Sequence, residues 1–342
     1  LIERWDQEAQ SIAYHQGKIC FIDGGLPGER VRVRVTEHKA QYLKAQVVKV
    51  LTPAPERIAP ACRFFGSCGG CQLHYVGAEQ ARQLKQQALD QQLQHQLKVK
   101  ALPWQPTIAD QATAYRRKAR IGVWFEKKTK QFTVGFRRAG GKEITAVADC
   151  MVLSPVIAPV LPILTQTLPQ LQQGDAITHV EVLDADGQAF VVVRHIRPLS
   201  AADRELLQQA WPDAHWIGEA EPDVFQPWSA QQPQPSYSLN SGLKLTFQPT
   251  DFIQVNSAVN QAMVAQAVAW LAPQPHENIL DLYCGIGNFS LALAQTAAQV
   301  VGLEGVQTMV DTARQNAVQN GLTNLYFAQA DLHLAWPKAD WN

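Results

Sequence analysis

The sequence lacks the features of a secreted or membrane-bound protein. It contains no run of eighteen apolar residues, so no transmembrane helix is predicted. No signal-peptide pattern opens the chain, and because it begins at Leu1 rather than Met we expect a trimmed start. The six cysteines among 342 residues are too scattered for a disulfide framework. We therefore expect a cytoplasmic protein whose clustered thiols serve metal or redox chemistry.

The sequence also has no net charge, which argues against a uniformly basic coat for nucleic acid. The charges are unevenly distributed, however. Between Tyr115 and Lys142 there are ten Lys or Arg residues and one acid, Glu126. A shorter basic run comprises Arg30, Arg32, Arg34, Lys39, Lys44 and Lys49. A neutral protein with such a basic face can still bind phosphate backbones locally.

The first fifty residues read as a small β-barrel of the oligonucleotide-binding kind. Residues 18–51 contain several short strands, and ERVRVRVTE alternates polar and apolar residues with period two. Alternation places Arg30, Arg32 and Arg34 on one face. This face suits nucleic acid, although an ordinary solvated strand gives the same pattern.

The middle of the chain mixes helix and strand signals. A helix is predicted over residues 78–97, and two strands over 118–137 around a turn at 127–130. Asp186-Gly187 marks a hairpin turn, and Ser200 an N-cap of a helix running to about Gln209. Residues 221–236, rich in Pro and Gln, are predicted to form a surface loop. These elements predict an α+β region.

The last ninety residues alternate strand and helix. A helix capped by Asn256 or Ser257 precedes NILDLYCGIGN, and the strands QVVGLEG and NLYFAQADL follow with helices between them. This order predicts a parallel, doubly wound sheet.

The stretch D-L-Y-C-G-I-G-N, from Asp281 to Asn288, lies between a predicted strand and a predicted helix. Glycines let a ligand approach the backbone closely, and Glu304 at the next strand end can accept both hydroxyls of a ribose. Asp331, at the third strand end, can meet an adenine edge. The stretch resembles motif I of S-adenosylmethionine-dependent methyltransferases. A nicotinamide cofactor and plain structural turns are the alternatives.

Three cysteines lie close together in CRFFGSCGGCQLH. The spacing Cys62-x5-Cys68-x2-Cys71 indicates a metal centre, and thiolates suit either zinc or an iron–sulfur cluster. Cys150 is the natural fourth ligand, whereas His74 could instead complete a zinc site. Radical enzymes use a C-x3-C-x2-C spacing, which differs from this one, so a structural or RNA-orienting cluster is favoured.

Over essentially its whole length the chain resembles 23S ribosomal RNA (uracil-5-)-methyltransferases of the RlmD/RumA type. The motifs C-R-F-F-G-S-C-G-G-C-Q, Y-R-R-K-A-R, G-F-R-R-A-G, D-F-I-Q-V-N and D-L-Y-C-G-I-G-N-F occur in the order of that family. The resemblance implies a TRAM barrel over 1–53, a central α+β domain with an iron–sulfur loop over 54–250, and an incomplete Rossmann-like methyltransferase domain over 251–342.

The resemblance also implies the site residues. A [4Fe-4S] cluster would be held by Cys62, Cys68, Cys71 and Cys150. S-adenosylmethionine would contact Gln254, Tyr283, Asn288, Glu304 and Asp331. The basic segment from Tyr115 to Lys142 suits RNA binding by Arg116, Arg117, Arg137 and Arg138, because Tyr115, Trp124, Phe132 and Phe136 are interleaved with its cations. The alternative, which can hold at the same time, is that the aromatics fill the core of a sheet while the cations face water. The partner would be a single-stranded loop uridine of 23S ribosomal RNA, and the protein a monomer without membrane contact.

The sequence departs from the family pattern in three places. The stretch DQEAQSIA lacks the usual glycine-rich turn, and Met151 stands where proline is usual after Cys150. The family adds a cysteine thiolate to C6 of uracil and removes the C5 proton with a glutamate, and both residues would lie beyond Asn342. Cys284 belongs to the donor motif and is not a substitute. We therefore predict no catalytic residue and an inactive, truncated chain; the alternative is a non-catalytic RNA-binding module with an iron–sulfur cluster or zinc.

Overall fold

The structure of the protein is a computed structural model that describes residues 1–334. The last eight residues of the predicted third domain, 335–342, lie outside the described residues. The chain divides into two compact units, of which the first comprises Leu1–Thr107 and Arg137–Glu143, and the second Ile108–Phe136 and Ile144–Asn342. Among the described helices, none is long and apolar enough to cross a bilayer.

The first unit begins with a five-stranded sheet followed by one long helix. Its elements are β1 (Arg4–Trp5), β2 (Ser11–His15), β3 (Lys18–Asp23), β4 (Arg30–His38), β5 (Tyr42–Thr52) and α1 (Ala78–Leu97). The strand order is β1-β2-β3-β5-β4, and the strand pairs of the described residues leave this sheet open rather than closing the predicted barrel. Arg30, Arg32 and Arg34 share the exposed face of β4, as their alternation predicts.

The glycine-poor start still makes a tight turn between β1 and β2. Ala9 adopts a left-handed backbone with φ 59°. The Asp6 carboxylate accepts hydrogen bonds from the Glu8 and Gln10 amides at 2.9 and 2.8 Å. An alanine therefore takes the left-handed conformation that glycine usually takes, and the Asp6 carboxylate stabilises the turn. Strand β2, which we did not predict, follows from this turn.

A buried ion pair fastens the segment after β5 to the sheet. The Glu29 carboxylate is fully buried and accepts hydrogen bonds from the amides of Leu26 and Ala54 at 2.9 and 3.2 Å. Arg57 donates to both carboxylate oxygens and stacks over the Tyr75 ring at 4.7 Å. The apolar cluster of Trp5, Leu26, Tyr75 and α1 surrounds this pair.

The second unit contains a seven-stranded sheet with strand order β12-β11-β10-β9-β6-β7-β8. Its strands are β6 (Lys118–Glu126), β7 (Gln131–Arg137), β8 (Ile144–Ala146), β9 (Ile177–Ala185), β10 (Gln188–His195), β11 (His215–Glu219) and β12 (Phe225–Pro227). Two helices accompany it, α2 (Val160–Thr167) and α3 (Ala201–Ala210), with 3₁₀ turns at Leu168–Gln170 and Gly174–Ala176. The predicted hairpin is confirmed: β9 and β10 pair around Asp186 and Gly187, which have φ 49° and 87°.

The predicted surface loop 221–236 is largely confirmed, since most of its residues are exposed and lie outside helices and strands. The prediction is wrong at Phe225–Pro227, which form strand β12 and pair antiparallel with β11. The pairing satisfies backbone groups at the edge of the sheet, and Trp228 stacks on Trp216 just beyond it, with ring centroids 5.8 Å apart. The strand is only three residues long and lies in a segment rich in Pro and Gln, so local composition did not indicate it.

The C-terminal part of this unit carries a parallel three-stranded sheet of order β15-β16-β17. This part of the chain comprises β13 (Ser236–Ser238), β14 (Lys244–Thr246), α4 (Ser257–Leu271), β15 (Asn278–Leu282), α5 (Ser290–Ala294), β16 (Gln299–Glu304), α6 (Gln307–Gln319) and β17 (Leu325–Gln329). Strands β13 and β14 pair with each other in a separate two-stranded sheet. Asn256 is the N-cap of α4, accepting from the Val259 amide at 3.0 Å. One apolar cluster includes Phe190, Tyr237, Leu291 and Phe327, so it contains residues on both sides of position 250.

The Glu29 ion pair yields a stability prediction. Burial by itself would raise the pKa of Glu29, but the hydrogen bonds from Arg57, Leu26 and Ala54 outweigh it and lower the pKa. Glu29→Gln leaves Arg57 without its partner, and we expect a loss of about 3 kcal/mol in urea unfolding followed by circular dichroism. Because the folded-state pKa is lowered, this contribution is complete above about pH 4.5 and is lost as the pH falls through the folded value.

The matched control is Glu37→Gln. Glu37 forms exposed ion pairs with Lys39 and Lys44, both at 3.3 Å, which water and salt screen. We expect its unfolding midpoint to stay at the wild-type value. Equal midpoints for the two variants would contradict a dominant role for Glu29.

Candidate functional site

The candidate donor site lies at the carboxyl ends of three parallel strands. β15 and β16 pair with Leu282 opposite Leu303, and β16 and β17 pair with Glu304 opposite Gln329. Tyr283, Glu304 and Asp331 therefore follow neighbouring strand ends at one edge of the sheet. This edge is where open α/β sheets bind their ligands.

The turn after β15 has an unusual backbone. Tyr283, Gly285 and Gly287 all adopt positive φ, at 59°, 57° and 91°. Glycine tolerates this conformation, but an aromatic residue adopts it only at a cost in strain. Tyr283 is also 63% exposed. The turn thus presents an accessible aromatic ring on a strained backbone, beside two glycines.

Glu304 is fixed by the main chain around it. One carboxylate oxygen accepts from the Gly285 amide and the other from the Val306 amide, each at 3.1 Å. The side chain is only partly buried, so its remaining lone pairs stay available to a diol. Asp331 is exposed, and its carboxylate accepts from the His333 amide at 3.0 Å.

Asn288 belongs to a buried polar network that the motif did not reveal. Its side-chain amide pairs reciprocally with that of Asn260, at 2.9 and 3.1 Å. The Tyr237 hydroxyl also donates to Asn288 Oδ1, at 2.9 Å. Asn260 and Tyr237 are 1% and 2% exposed. Tyr237 is 51 residues from Asn288 in sequence, so spacing could not have indicated either partner.

The D-F-I-Q-V-N segment contributes Gln254, which is partly buried. Its carbonyl accepts a hydrogen bond from Arg117 Nε at 2.7 Å. Phe252, two residues earlier, is 67% exposed. Gln254 and Asn288 thus connect to residues of the same buried network, one through Arg117 and the other through Tyr237.

Cys284 is packed in the apolar core. It is 5% exposed, and burial raises the pKa of its thiol well above the ordinary range. Its Sγ contacts the Gly302 position so closely that a Cβ there would lie 2.9 Å away. A buried, protonated thiol is a poor nucleophile, which agrees with its exclusion from the predicted catalytic residues.

The cysteine loop pairs with a predicted RNA-binding segment of the same unit. Cys68 and Arg138 form an antiparallel bridge, and the Gly69 amide donates to the Arg137 carbonyl at 2.8 Å. A Cβ on Gly69 would meet that carbonyl at 3.0 Å, so the approach needs glycine. Arg137 and Arg138 are exposed. The structure therefore brings together two features that the sequence separates by about seventy residues.

The four predicted cluster ligands, Cys62, Cys68, Cys71 and Cys150, are all partly exposed. The Gly70 amide donates to Cys68 Sγ at 3.4 Å. Within residues 1–334, no group of three or more His, Cys, Asp and Glu side chains is placed to hold a metal ion. The ring of His74 lies beside that of Phe65, with centroids 5.8 Å apart.

The basic residues of Y-R-R-K-A-R have different surroundings. Arg116 is partly buried, and its Nε donates to the Lys118 carbonyl at 3.0 Å. Arg117 is only 4% exposed, so its guanidinium lies inside the protein, and its RNA contact stays a prediction. Among the interleaved aromatics, Trp124 is 59% exposed, whereas Phe132 packs on Phe125 at 4.7 Å.

Two family models match the chain. The TRAM domain model matches residues 1–48, and the tRNA (Uracil-5-)-methyltransferase model matches residues 240–332. The fold is similar to that of the Pyrococcus abyssi tRNA (uracil-54, C5)-methyltransferase, solved in complex with S-adenosyl-L-homocysteine. That structure has a TM-score of 0.70 and 16% identity, and the match covers 99% of this chain and 81% of that one. It establishes the similarity of fold.

Curated relatives are more similar in sequence. The 23S rRNA (uracil(1939)-C(5))-methyltransferase RlmD of Shewanella piezotolerans is 40% identical over 99% of this chain and 77% of its own length. The protein of the same name from Enterobacter sp. strain 638 is 40% identical over 98% of this chain and 76% of its own. At this identity and coverage, the chain belongs to the RlmD family of 23S rRNA uracil-C5 methyltransferases.

Proposed function

We propose that this protein is an S-adenosylmethionine-dependent methyltransferase that forms 5-methyluridine in 23S ribosomal RNA. The observation that carries the proposal is the 40% identity to RlmD relatives across 99% of the chain. The fold and the carboxylate at the end of β16 agree with it, because a donor nucleoside needs such a diol acceptor. We propose a cytoplasmic site of action, where ribosomal RNA is modified.

The donor would bind at the strand ends of β15, β16 and β17. Glu304 is held so that it can accept both ribose hydroxyls, and Asp331 can accept from the adenine amino group. Tyr283 offers an exposed ring for apolar contact, while Gln254 and Asn288 complete the site from the buried network. When bound, the donor supplies the electrophilic methyl group.

The RNA would bind through exposed cations and an exposed ring. Arg137 and Arg138 are open to phosphates, and Trp124 can stack on an unpaired base. Arg116 completes the proposed contacts. Arg117, which the sequence also predicts to bind RNA, has a buried side chain and is left out of them. A uridine must leave its stack to reach the donor, so a single-stranded loop of 23S ribosomal RNA is the proposed substrate. We also propose that the protein acts as a monomer.

The cysteines would hold a [4Fe-4S] cluster. The donor set fits in its chemistry, because four soft thiolates suit iron–sulfur clusters and the Gly70 amide already donates to Cys68 Sγ. When bound, the cluster would order the loop that pairs with Arg137 and Arg138. Its proposed role is thus to position the RNA-binding segment.

Methyl transfer to C5 needs a nucleophile at C6 and a base for the C5 proton. Cys284 does not fit the first role, because its thiol is buried. We assign neither role to a described residue, so the proposal is best tested through donor binding, RNA binding and cluster content.

Removal of the Glu304 charge tests the donor site. Glu304→Gln keeps the size of the side chain but weakens its hydrogen bonds to a diol. We expect the Kd for S-adenosylhomocysteine, measured by calorimetry, to rise about ten- to a hundredfold. The control Glu277→Gln alters an exposed carboxylate just before the start of β15, which accepts from the Gln274 amide at 2.9 Å. Equal affinity in Glu304→Gln and wild type would contradict the donor site.

Metal analysis tests the cluster. Purified without oxygen, the protein should contain about four iron atoms and four acid-labile sulfides per chain, with broad visible absorption. We expect Cys68→Ser to lose most of the iron and Cys20→Ala, a change in the apolar core of β3, to retain it. One zinc per chain without sulfide would overturn the cluster and favour a zinc-bearing RNA-binding module.

Alkylation tests the exclusion of Cys284. In folded, metal-free protein we expect iodoacetamide to leave Cys284 unmodified, because the thiol is 5% exposed and its pKa is raised by burial. The same thiol should react fully in urea at alkaline pH, as mass spectrometry of the peptide would show. Rapid modification in the folded protein would instead make Cys284 a candidate nucleophile.

A further inference from the structure

Arg117 is a buried cation that forms no ion pair within 4.0 Å among the described residues, although Asp184 and Asp186 act on it from farther away. Its side chain is 4% exposed, and no ion pair found among residues 1–334 includes it. The guanidinium lies over the Tyr237 ring, 4.3 Å from its centroid, and Nε donates to the Gln254 carbonyl at 2.7 Å. Burying a guanidinium is unfavourable, so these contacts must offset a substantial desolvation penalty. Such a residue does not serve as a free phosphate contact.

The main chain at Arg117 joins the same segment. The Arg117 amide donates to the Val255 carbonyl at 2.9 Å, so one residue holds two consecutive carbonyls of D-F-I-Q-V-N. Lys118 Nζ donates to the carbonyls of Pro249 and Asp251 at 2.6 and 2.8 Å. Residues 248–255 form no helix or strand of their own. Two adjacent basic residues therefore supply donors for four carbonyls of an otherwise irregular segment.

The ring under Arg117 connects it to the glycine-rich turn. Tyr237 is 2% exposed and donates its hydroxyl to Asn288 Oδ1 at 2.9 Å. The Asn288 amide is held from its other side by Asn260. A change at Arg117 thus reaches Gln254 through one hydrogen bond and Asn288 through one ring contact and one hydrogen bond.

We propose that Arg117 is a positioning residue for the methyl-donor site, which it orders by fixing Gln254 directly and Asn288 through Tyr237. The inference rests on the proposed donor function of Gln254 and Asn288. It gives Arg117 a role in the methyl-donor site rather than in RNA binding. Lysine cannot replace arginine here, because one ammonium cannot both stack flat on a ring and direct a fixed N–H at the carbonyl.

The first test separates donor affinity from RNA affinity. Arg117→Met keeps an apolar side chain over Tyr237 but removes the N–H group that donates to the Gln254 carbonyl. We expect the Kd for S-adenosylhomocysteine to rise about tenfold or more, as for the loss of a charged hydrogen bond, with RNA affinity within twofold of wild type. The RNA probe is a hairpin with a uridine in its loop. The control is Arg204→Met, which removes an exposed arginine of α3, and should change neither affinity.

The second test needs no ligand. We expect amide hydrogen exchange in the peptide spanning 249–256 to quicken in Arg117→Met, while α3 exchanges as in wild type. Arg117→Lys should resemble Arg117→Met in exchange and in S-adenosylhomocysteine affinity. Unchanged exchange across 249–256 would overturn the inference whatever happens to the ligand.

Tyr237→Phe tests the connection to Asn288 while leaving the packing of the core intact. It retains the ring under Arg117 and removes only the hydroxyl that donates to Asn288. We expect S-adenosylhomocysteine to bind about three- to tenfold more weakly, with the melting temperature close to wild type. A fall in RNA affinity in Arg117→Met with unchanged S-adenosylhomocysteine affinity would overturn the inference in favour of direct RNA contact. Wild-type protein that binds no S-adenosylhomocysteine would instead overturn the proposed donor site itself.

Discussion

The proposed methyl-donor site depends on hydrogen bonds that Arg117 and Lys118 donate to backbone carbonyls of one irregular segment, residues 249–255. Backbone carbonyls outside helices and strands need donors when they are withdrawn from water. Arg117 and Lys118 supply these donors along 249–255, and both side chains lose solvent in doing so. Burial lowers the pKa of each. The segment that leads into α4 is thereby held against β6, and the Tyr237–Asn288 pair completes the connection to the turn after β15.

Local rules predicted much of the fold because the relevant signals lie within a few residues of each other. The alternation in β4, the Asp186-Gly187 turn and the Ser200 cap are all complete within one short stretch, and the structure confirms each. Strands β1, β2 and β12 were missed although each pairs with a neighbour in the chain, β1 with β2 and β12 with β11. β1 and β12 are only two and three residues long, and the turn before β2 uses a left-handed alanine that composition does not indicate.

The residues of the candidate site also differ in whether the sequence could predict their placement. The placement of Glu304 and Asp331 at neighbouring strand ends could be predicted from the alternation of strands and helices, and the resemblance of the glycine-rich turn added Tyr283 and Asn288. The burial of Arg117 could not be predicted, because its carbonyl partner at Gln254 is 137 residues away in sequence. A positive charge in a basic run indicates solvent or phosphate by composition alone. Only the fold shows that one member of the run faces inward, toward Tyr237.

The pairing of the cysteine loop with Arg137 and Arg138 has a thermodynamic consequence. Because the Gly69 amide and Cys68 bond directly to this arginine segment, the two cannot change conformation independently. Linkage then requires reciprocity: whatever factor an ordered loop adds to RNA affinity, bound RNA adds to the retention of the group that orders the loop. If the cysteines hold the proposed cluster and Arg137 and Arg138 bind RNA as proposed, the cluster would be retained most firmly while RNA is bound and would be most exposed to oxidants when RNA is absent.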